Sequence, residues 1–246
     1  MNKKKLTKLG VSLALVATVG VGATLAYLSA TSDTLTNSFT VGDGFITDDE
    51  HPSIVLDESF WTNDGKDQIT EDEKSPFSDT RTTDGNEYKN VLSGDTLTKD
   101  PTVHVRNGSV NSYVFVRVDG LDELVALQNK DDETLFSVDI NDDNQWKKVA
   151  NTDGVYTTTP NAQLDGVYVW HQPLVTEGKT EGYYQSTDAL FDAIVVRDVS
   201  NFLDDSNQKI SLEDNDIIIT ACAVQAKAQG TTITEADAFK DATFRK

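Results

Sequence analysis

The three histidines of this chain are the first residues whose chemistry has to be tested. No His-Glu-x-x-His motif occurs, so the sequence excludes a zinc protease site of the thermolysin type. His104 lies within a strand-like segment, on its more polar face. His171 follows an apolar segment, and His51 lies in an acidic loop. We interpret all three as surface or edge histidines rather than as converging metal ligands.

Nucleophilic catalysis has no candidate residue in this sequence. No Gly-x-Ser-x-Gly motif singles out a serine, and no glycine-rich phosphate loop opens a helix. The only cysteine, Cys222, excludes an intrachain disulfide and a zinc site built from several thiolates. Because Cys222 lies in the apolar segment IIITACAV, we predict a buried, inert thiol. We therefore predict no catalytic residue and no enzyme.

The segment Asp139-Ile140-Asn141-Asp142-Asp143 has the alternating oxygen ligands with which a calcium loop begins. An EF-hand would continue with glycine at position six and glutamate at position twelve, where this chain has Asn144 and Ala150. This mismatch favours a solvated loop, with calcium binding as the weaker alternative. We predict no cofactor and no metal site.

Lys99 suggests a different chemistry, an amide bond between side chains. Exported sandwich domains can join a lysine to an asparagine or aspartate beside a buried acid. Lys99 stands next to Asp100, and Asn107 and Asn111 follow downstream. The sequence supplies these groups without showing that they are close, so the bond is a hypothesis.

The charge of the chain excludes several partners. The 246 residues carry a net charge of −20, and without the four lysines of residues 1–26 the balance is 17 basic against 41 acidic residues, or −24. Nucleic acid and anionic membranes are bound through clustered Lys and Arg, so we predict neither as a partner. Regularly recurring Val, Ile, Phe, Tyr and Trp argue against disorder.

The N-terminus has the pattern of an export signal. Lysines at positions 3, 4, 5 and 8 precede an uncharged run over residues 9–30 that is rich in small residues. We predict a signal peptide over residues 1–26, cleaved between Ala26 and Tyr27. A retained membrane anchor is the alternative, because the run is nearly long enough to span a bilayer. The predicted location is secreted, in the extracellular matrix or on the cell surface.

The segment that follows, residues 27–44, contains a predicted β-strand with one apolar face. Leu35, Phe39 and Val41 alternate with Thr and Ser residues over residues 33–41. Gly42 and the residues after it end the strand.

Residues 45–246 are predicted to form one β-sandwich domain with an acidic loop insertion at about 57–87. Residues 102–106 and 113–118 alternate on either side of an Asn-Gly-Ser turn, which predicts a hairpin. A short helical turn is predicted at 121–127, and a C-terminal helix is capped by Thr234, with Ala238 and Phe239 facing inward. Further strands are predicted at 54–56, 134–140, 146–149, 155–158, 167–171, 183–196 and 217–228.

Many short strands with turn signals every 8–12 residues and little helix define the fold class. We predict an all-β, jelly-roll-like β-sandwich with long acidic loops and a short C-terminal helix.

Three segments resemble the TasA and camelysin family. Residues 3–30 are similar to signal peptides processed by the SipW-type signal peptidase. Residues 93–100 (SGDTLTKD) resemble a G-D-x-L-T-K-D stretch of TasA, and a short strand then precedes the turn Asn107-Gly108-Ser109. The closing segment 217–229 (IIITACAVQAKAQ) resembles the last strand of the family.

The resemblance implies secretion by a Gram-positive bacterium and a jelly-roll sandwich that forms extracellular fibres in biofilm matrix. Its subunits join head to tail by donor-strand complementation, in which the freed N-terminal segment completes the sheet of the next subunit. Leu35, Phe39 and Val41 would then be the donor-strand anchors. The implied partners are further copies of the chain, a minor accessory fibre subunit and a signal peptidase of the SipW type.

Three alternatives stay open. Camelysin relatives carry a metalloprotease label, which the missing zinc motif here puts in doubt. A monomeric module for a surface ligand would use exposed aromatic residues: Trp61, Trp146, Trp170, Tyr183 and Tyr184. The strand at 33–41 would, as the simplest alternative, be an ordinary first strand of its own sandwich.

Overall fold

The computed structural model describes residues 38–39, 45, 52–62, 69–70, 73–88, 91–142, 145–157, 159–180, 182–212, 215–228 and 231–244. Within these ranges the chain is built from β-strands with two short helices. The strands are β1 (Ser38–Phe39), β2 (Ile54–Ser59), β3 (Lys74–Ser75), β4 (Ser78–Thr82), β5 (Thr96–Thr98), β6 (Thr102–Arg106), β7 (Ser112–Asp119), β8 (Phe136–Ile140), β9 (Trp146–Ala150), β10 (Gly166–Trp170), β11 (Tyr184–Ser186), β12 (Phe191–Val196), β13 (Ile218–Gln225), β14 (Lys227–Ala228) and β15 (Thr231–Thr232). The helices are α1 (Leu121–Val125) and α2 (Glu235–Asp241).

The strands form two large sheets and two smaller ones. The first sheet has the order β1-β13-β7-β10-β9, and the second has the order β11-β6-β2-β4-β3. A three-stranded sheet, β5-β12-β8, and the ribbon β14-β15 complete the described strands. Strand pairing in the described residues is antiparallel except between β1 and β13, which run parallel.

One hydrophobic core lies between the sheets, and it explains why these segments form strands. Val114 and Val116 of β7 share this core with Ile54 of β2 and Val103 of β6. The alternate residue Phe115 faces the other side of the first sheet, where α2 covers a smaller apolar cluster. The central strands β7, β10 and β13 of the first sheet are therefore largely buried on both faces, as their near-continuous apolar sequences require.

The predicted all-β sandwich with a short C-terminal helix is confirmed. Thr234 caps α2 by accepting a hydrogen bond from the backbone N–H of Asp237, and Ala238 is buried as predicted. The predicted helical turn is α1. Of the helices in the described ranges, neither is long and apolar enough to cross a bilayer.

The predicted hairpin of residues 102–118 is wrong. β6 pairs with β2 and β11 in the second sheet, whereas β7 pairs with β13 and β10 in the first. The chain crosses the sandwich between them, and Val105 and Val114 meet in the main core from opposite sheets. An alternating pattern around a polar turn is the same whether two strands pair side by side or face each other across a core.

Two other segments differ from their predictions. Residues 57–87 are not one continuous loop, because β2 extends to Ser59, and β3 and β4 form a ribbon that joins it through Glu58 and Thr82. Sequence reasoning assigned these polar residues to a loop insertion, but several of them carry buried charges that pair with one another. The strand predicted at 155–158 is reduced, in the described residues, to a single bridge between Ala150 and Tyr156.

Candidate functional site

The outer edge of β13 is the first candidate site, because β1 lies against it. Ser38 is the register partner of Cys222, and Phe39 is the register partner of Ala223. On its other side β13 pairs with β7 along its whole length, from Ile218 to Gln225. In the described residues β1 therefore covers two positions of an edge that is eight residues long.

β13 has the burial pattern of a central strand. Ala221 and Ala223 face the main core, while Cys222 and Val224 face the cluster beneath α2. Each of these side chains is buried. A strand that is apolar on both faces belongs in the interior of a sheet, since an exposed edge of this kind invites pairing with another chain. The edge of β13 thus requires a covering strand.

Of the three predicted donor-strand anchors, one lies within the described residues at this edge. Phe39 lies in β1, whereas Leu35 and Val41 lie outside the described residues, as do the predicted cleavage residues Ala26 and Tyr27. The prediction of a buried thiol at Cys222 is confirmed, with no measurable exposure of the residue.

A buried cluster of charged side chains in the second sheet is the second candidate site. Asp57, in β2, is fully buried and accepts hydrogen bonds from Arg81 Nε at 2.8 Å and from Ser75 Oγ. His104 Nε2 lies 3.0 Å from the same carboxylate. Arg81 also donates from Nη1 to Asp100 at 2.8 Å, so its guanidinium bridges two acids.

The electrostatics of the cluster favour the ionised forms of Asp57 and Arg81. Burial alone would raise the pKa of Asp57, but the hydrogen bond and charge of His104, together with Ser75 and Arg81, outweigh burial and lower that pKa. Burial would lower the pKa of Arg81, and the two acids Asp57 and Asp100 raise it instead. The charges thus stabilise one another inside the sandwich.

A second ion pair lies beside the first, on the next residue of β2. Glu58 Oε2 accepts a hydrogen bond from Lys99 Nζ at 2.8 Å, and Glu58 Oε1 accepts one from Asn86 Nδ2, also at 2.8 Å. The side chain of Lys99 is 1% exposed and that of Glu58 is fully buried. Tyr88, also fully buried, lies beside them, where burial and the charge of Glu58 raise the pKa of its phenol well above its ordinary value.

The interpretation of His104 as a surface histidine is wrong. Its ring is buried, Phe77 stacks on it with the ring centroids 4.2 Å apart, and Nδ1 lies 2.6 Å from Ser186 Oγ. The contacts run from hydroxyl to imidazole to the carboxylate of Asp57, the order that can activate a serine. A nucleophilic serine also needs backbone donors for the oxyanion, and the N–H of Thr187 is already bonded to Val103 O at 2.9 Å. The contact from His104 is one of those that stabilise the buried carboxylate of Asp57.

The structure separates other residues that the sequence grouped. Asn107 Oδ1 accepts from Gln185, and Asn111 Oδ1 accepts from the backbone of Thr176, so neither amide is bonded to Lys99. His171 is exposed, and His51 lies outside the described residues. The predicted pairing of Lys99 with Asn107 or Asn111 is thus replaced by the contact with Glu58.

The aromatic residues proposed for ligand binding are mostly structural. Trp146 and Trp170 are buried in the main core, with their rings edge to face at 5.4 Å. Trp61 packs on Tyr88 with the ring centroids 5.7 Å apart. Only Tyr183 of the five is a large exposed side chain, at 66%. These positions do not form a shared binding surface.

The loop that begins at Asp139 is organised by protein contacts. Asn141 donates to the carbonyl oxygen of Ala189 at 2.9 Å and to Asp192 at 3.2 Å. In the described part of the chain, no three His, Cys, Asp or Glu side chains are grouped as ligands for one metal ion. Asp143 and Asn144 lie outside the described residues.

No protein-family model, curated protein sequence or solved structure matches this chain. Membership of the TasA and camelysin family therefore stays a prediction.

Proposed function

We propose that this chain is a secreted structural subunit of extracellular fibres, assembled head to tail by donor-strand complementation. The observation that carries the proposal is the pairing of β1 with β13, which places residues 38 and 39 along the edge of a strand that is buried on both faces. The edge of such a strand favours pairing with an added strand, and the N-terminal segment is the part of the chain that pairs with it.

Strand addition supplies both the affinity and the specificity of this assembly. Main-chain hydrogen bonds join the added strand to the edge, and its alternate side chains enter pockets of the sheet. In the register of β1, position 39 pairs with Ala223, a residue of the main core. The donor anchors Leu35, Phe39 and Val41 are separated by even numbers of positions. In a strand their side chains would therefore share one face. A head-to-tail contact of this kind does not close, and it therefore produces a filament.

Export would control when assembly begins. We propose that signal cleavage between Ala26 and Tyr27, by a peptidase of the SipW type, frees the donor segment at the cell surface. A strongly acidic surface would keep the subunits from aggregating side by side, since like charges repel. The proposed location is the extracellular matrix or the cell surface, with further copies of the chain and a minor accessory subunit as partners.

The register of β1 allows a direct test of which chain donates the strand. Ser38→Cys places a second cysteine opposite Cys222, on strands that lie about 4.8 Å apart, a separation that a disulfide can bridge. Oxidised fibres should then yield a ladder of disulfide-linked multimers on a non-reducing gel. Fibres that yield only internally linked monomers would refute the donor mechanism, because each strand would be paired within its own subunit.

Two control variants isolate the effect of the register. Ser38→Ala leaves Cys222 as the only thiol and should give no ladder. Phe39→Cys places the new thiol opposite Ala223 instead, where no cysteine can pair with it. A ladder of equal strength in Phe39→Cys would indicate random cross-linking.

Electron microscopy of the mature chain with and without residues 27–44 tests the proposal independently of any cysteine. The full mature chain should form fibres, and the truncated chain should form none while keeping its β-sheet circular dichroism. Fibres that persist after the deletion would contradict strand donation. Zinc content and caseinolytic activity, measured on the same protein, test the camelysin-like protease alternative.

A further inference from the structure

The contacts of Glu58 bring together an amine and an amide that the sequence does not connect. Lys99 Nζ is bonded to one oxygen of the Glu58 carboxylate and Asn86 Nδ2 to the other, each at 2.8 Å. All three residues are buried, with Asn86 only 2% exposed. A lysine is almost never buried to this extent in a protein unless a specific partner holds it.

We propose that Lys99 and Asn86 form an intramolecular amide bond, with Glu58 as the group that carries the proton. The site is independent of the fibre contact, because it lies at β2 and β5 whereas β1 and β13 belong to the first sheet.

The reaction is balanced without an oxidant or a cofactor. Glu58 takes a proton from the Lys99 ammonium, and the freed electron pair of Nζ attacks Cγ of Asn86. Glu58 then returns this proton to Nδ2 as the Cγ–Nδ2 bond breaks, and it takes up a second proton from Nζ, which keeps one hydrogen in the new amide. The products are one new Nζ–Cγ amide bond, one molecule of ammonia and a protonated Glu58 carboxyl group. Burial favours this transfer, since an ion pair is costly to remove from water and the products, including the protonated Glu58, are neutral.

The surroundings of Asn86 hold its amide in position for attack. Its Oδ1 accepts a hydrogen bond from the backbone N–H of Trp61 at 2.6 Å, which polarises the carbonyl that Lys99 would attack. Its Nδ2 donates to the backbone oxygen of Ser59 as well as to Glu58. Both ends of the amide are thus fixed by the β2 region.

Aromatic side chains exclude water from the site. Tyr88 is fully buried, donates its hydroxyl to the backbone oxygen of Thr98, and packs against Trp61. Thr98 immediately precedes Lys99, so this contact also fixes the strand that carries the amine. Exclusion of water prevents hydrolysis from competing with attack by the amine.

Asp100 is not the acyl partner of Lys99, although it is the next residue. Its carboxylate accepts from Arg81 Nη1 at 2.8 Å and from Ser59 Oγ at 2.8 Å. This carboxylate is therefore engaged in the neighbouring ion pair. The side-chain amide of Asn86, by contrast, shares its hydrogen-bond partner Glu58 with the Lys99 amine.

Intact-mass spectrometry of the purified, folded chain tests the proposal. The bond should lower the mass by one ammonia, about 17 Da below the value calculated from the sequence. A tryptic digest should then contain a branched peptide in which Lys99 is joined to the peptide that contains Asn86. Asn107→Ala and Asn111→Ala should retain the loss, because their amides are bonded elsewhere.

Three variants separate the roles of the three residues. Asn86→Ala and Lys99→Arg should have the unshifted mass because one reactant is missing. Glu58→Gln keeps the amine and the amide but loses the proton carrier, so its mass should also be unshifted. Circular dichroism of each variant shows whether it is folded. If a variant does not fold, the mass of the wild-type chain decides the proposal. An unshifted wild-type mass, a branch at another pair, or a full loss of ammonia in Glu58→Gln would overturn it.

Discussion

Removing the charge of Asp57 is the sharpest test of the buried charge cluster. Asp57→Asn preserves the shape of the side chain but leaves Arg81 and His104 without the carboxylate that faces them. Breaking a buried ion pair by removing one partner costs about 3–5 kcal/mol. The side chains of Arg81 and His104 keep 19% and 11% exposure, so we expect the lower end, about 3 kcal/mol.

Urea unfolding at pH 7 measures this cost. With an m-value of about 2.5 kcal/mol per molar, a loss of about 3 kcal/mol lowers the unfolding midpoint by about 1.2 M. Asp79→Asn is the matched control, because Asp79 pairs with Lys74 at 3.3 Å while its own side chain is 89% exposed. An exposed pair contributes about 0–1 kcal/mol, so the control should shift the midpoint by less than about 0.4 M.

The pH dependence gives a second, independent signature. The folded-state pKa of Asp57 lies below its ordinary value of 3.8, so its stabilising effect is complete above that value. This stabilisation is lost as the pH falls through the lower, folded-state pKa. Because a protonated Asp57 resembles asparagine, the difference between wild type and Asp57→Asn should shrink as the pH falls below 3.8.

Two outcomes would refute this reasoning. One is a midpoint shift in Asp57→Asn no larger than that in Asp79→Asn, which would mean that the buried charge is not stabilising. The other is a difference from wild type that stays constant from pH 7 to below 3.8, which would mean that the cost comes from packing rather than charge. Intact masses of both variants should be compared, so that any loss of ammonia is the same in each.

Two further pairs of variants test the packing of the sandwich. Gly120→Ala would bring a Cβ to 2.2 Å from the backbone oxygen of Asp216 at a φ of +98°, whereas Gly94→Ala has open space at a φ of +86°. Thermal and urea unfolding should show Gly120→Ala to be about 2 kcal/mol less stable than Gly94→Ala, and equal stabilities would contradict the close approach. Trp146→Ala should cost about 3–5 kcal/mol, while Tyr183→Ala at an exposed position should change stability by less than about 0.5 kcal/mol. Retention of the two variants on polysaccharide columns tests the ligand-binding alternative, which predicts that Tyr183→Ala weakens retention without loss of stability.

Elements with strong apolar periodicity could be predicted from the sequence. The segment IIITACAV forms β13, and the Thr234 cap begins α2, because local pattern and tertiary packing favour the same structure. Which strands pair with each other could not be predicted in the same way. β6 and β7 have the pattern of a hairpin but belong to opposite sheets, and only the packing of both strands on one core decides between the two arrangements.

The buried charge cluster was missed for a different reason. Asp57 and Glu58 continue the apolar run of β2, but sequence reasoning assigned residues 57–87 to an acidic loop insertion. A signal was present: in a chain with 21 basic against 41 acidic residues, Arg81 and Lys99 both fall near this acidic stretch. A charged residue directly after a buried strand is a candidate for an internal ion pair when a basic residue is available. The closeness of Lys99, Glu58 and Asn86 could not be predicted, because only the folded structure brings these residues together.

The same hydrogen bonds would form whether β1 pairs within its own subunit or with the next one, so their strength cannot select between these states. Because only 14 residues of the same chain join Phe39 to Ile54, pairing of β1 within its own subunit benefits from an effective concentration of about millimolar order. At micromolar concentrations a freely folding subunit would therefore close on itself. Proposed fibre growth must overcome this, either because the precursor holds the segment at the membrane until cleavage or because a longer added strand makes contacts beyond positions 38 and 39. In the second case Leu35 and Val41 would decide the balance, and substituting them should abolish fibres while leaving the monomer folded.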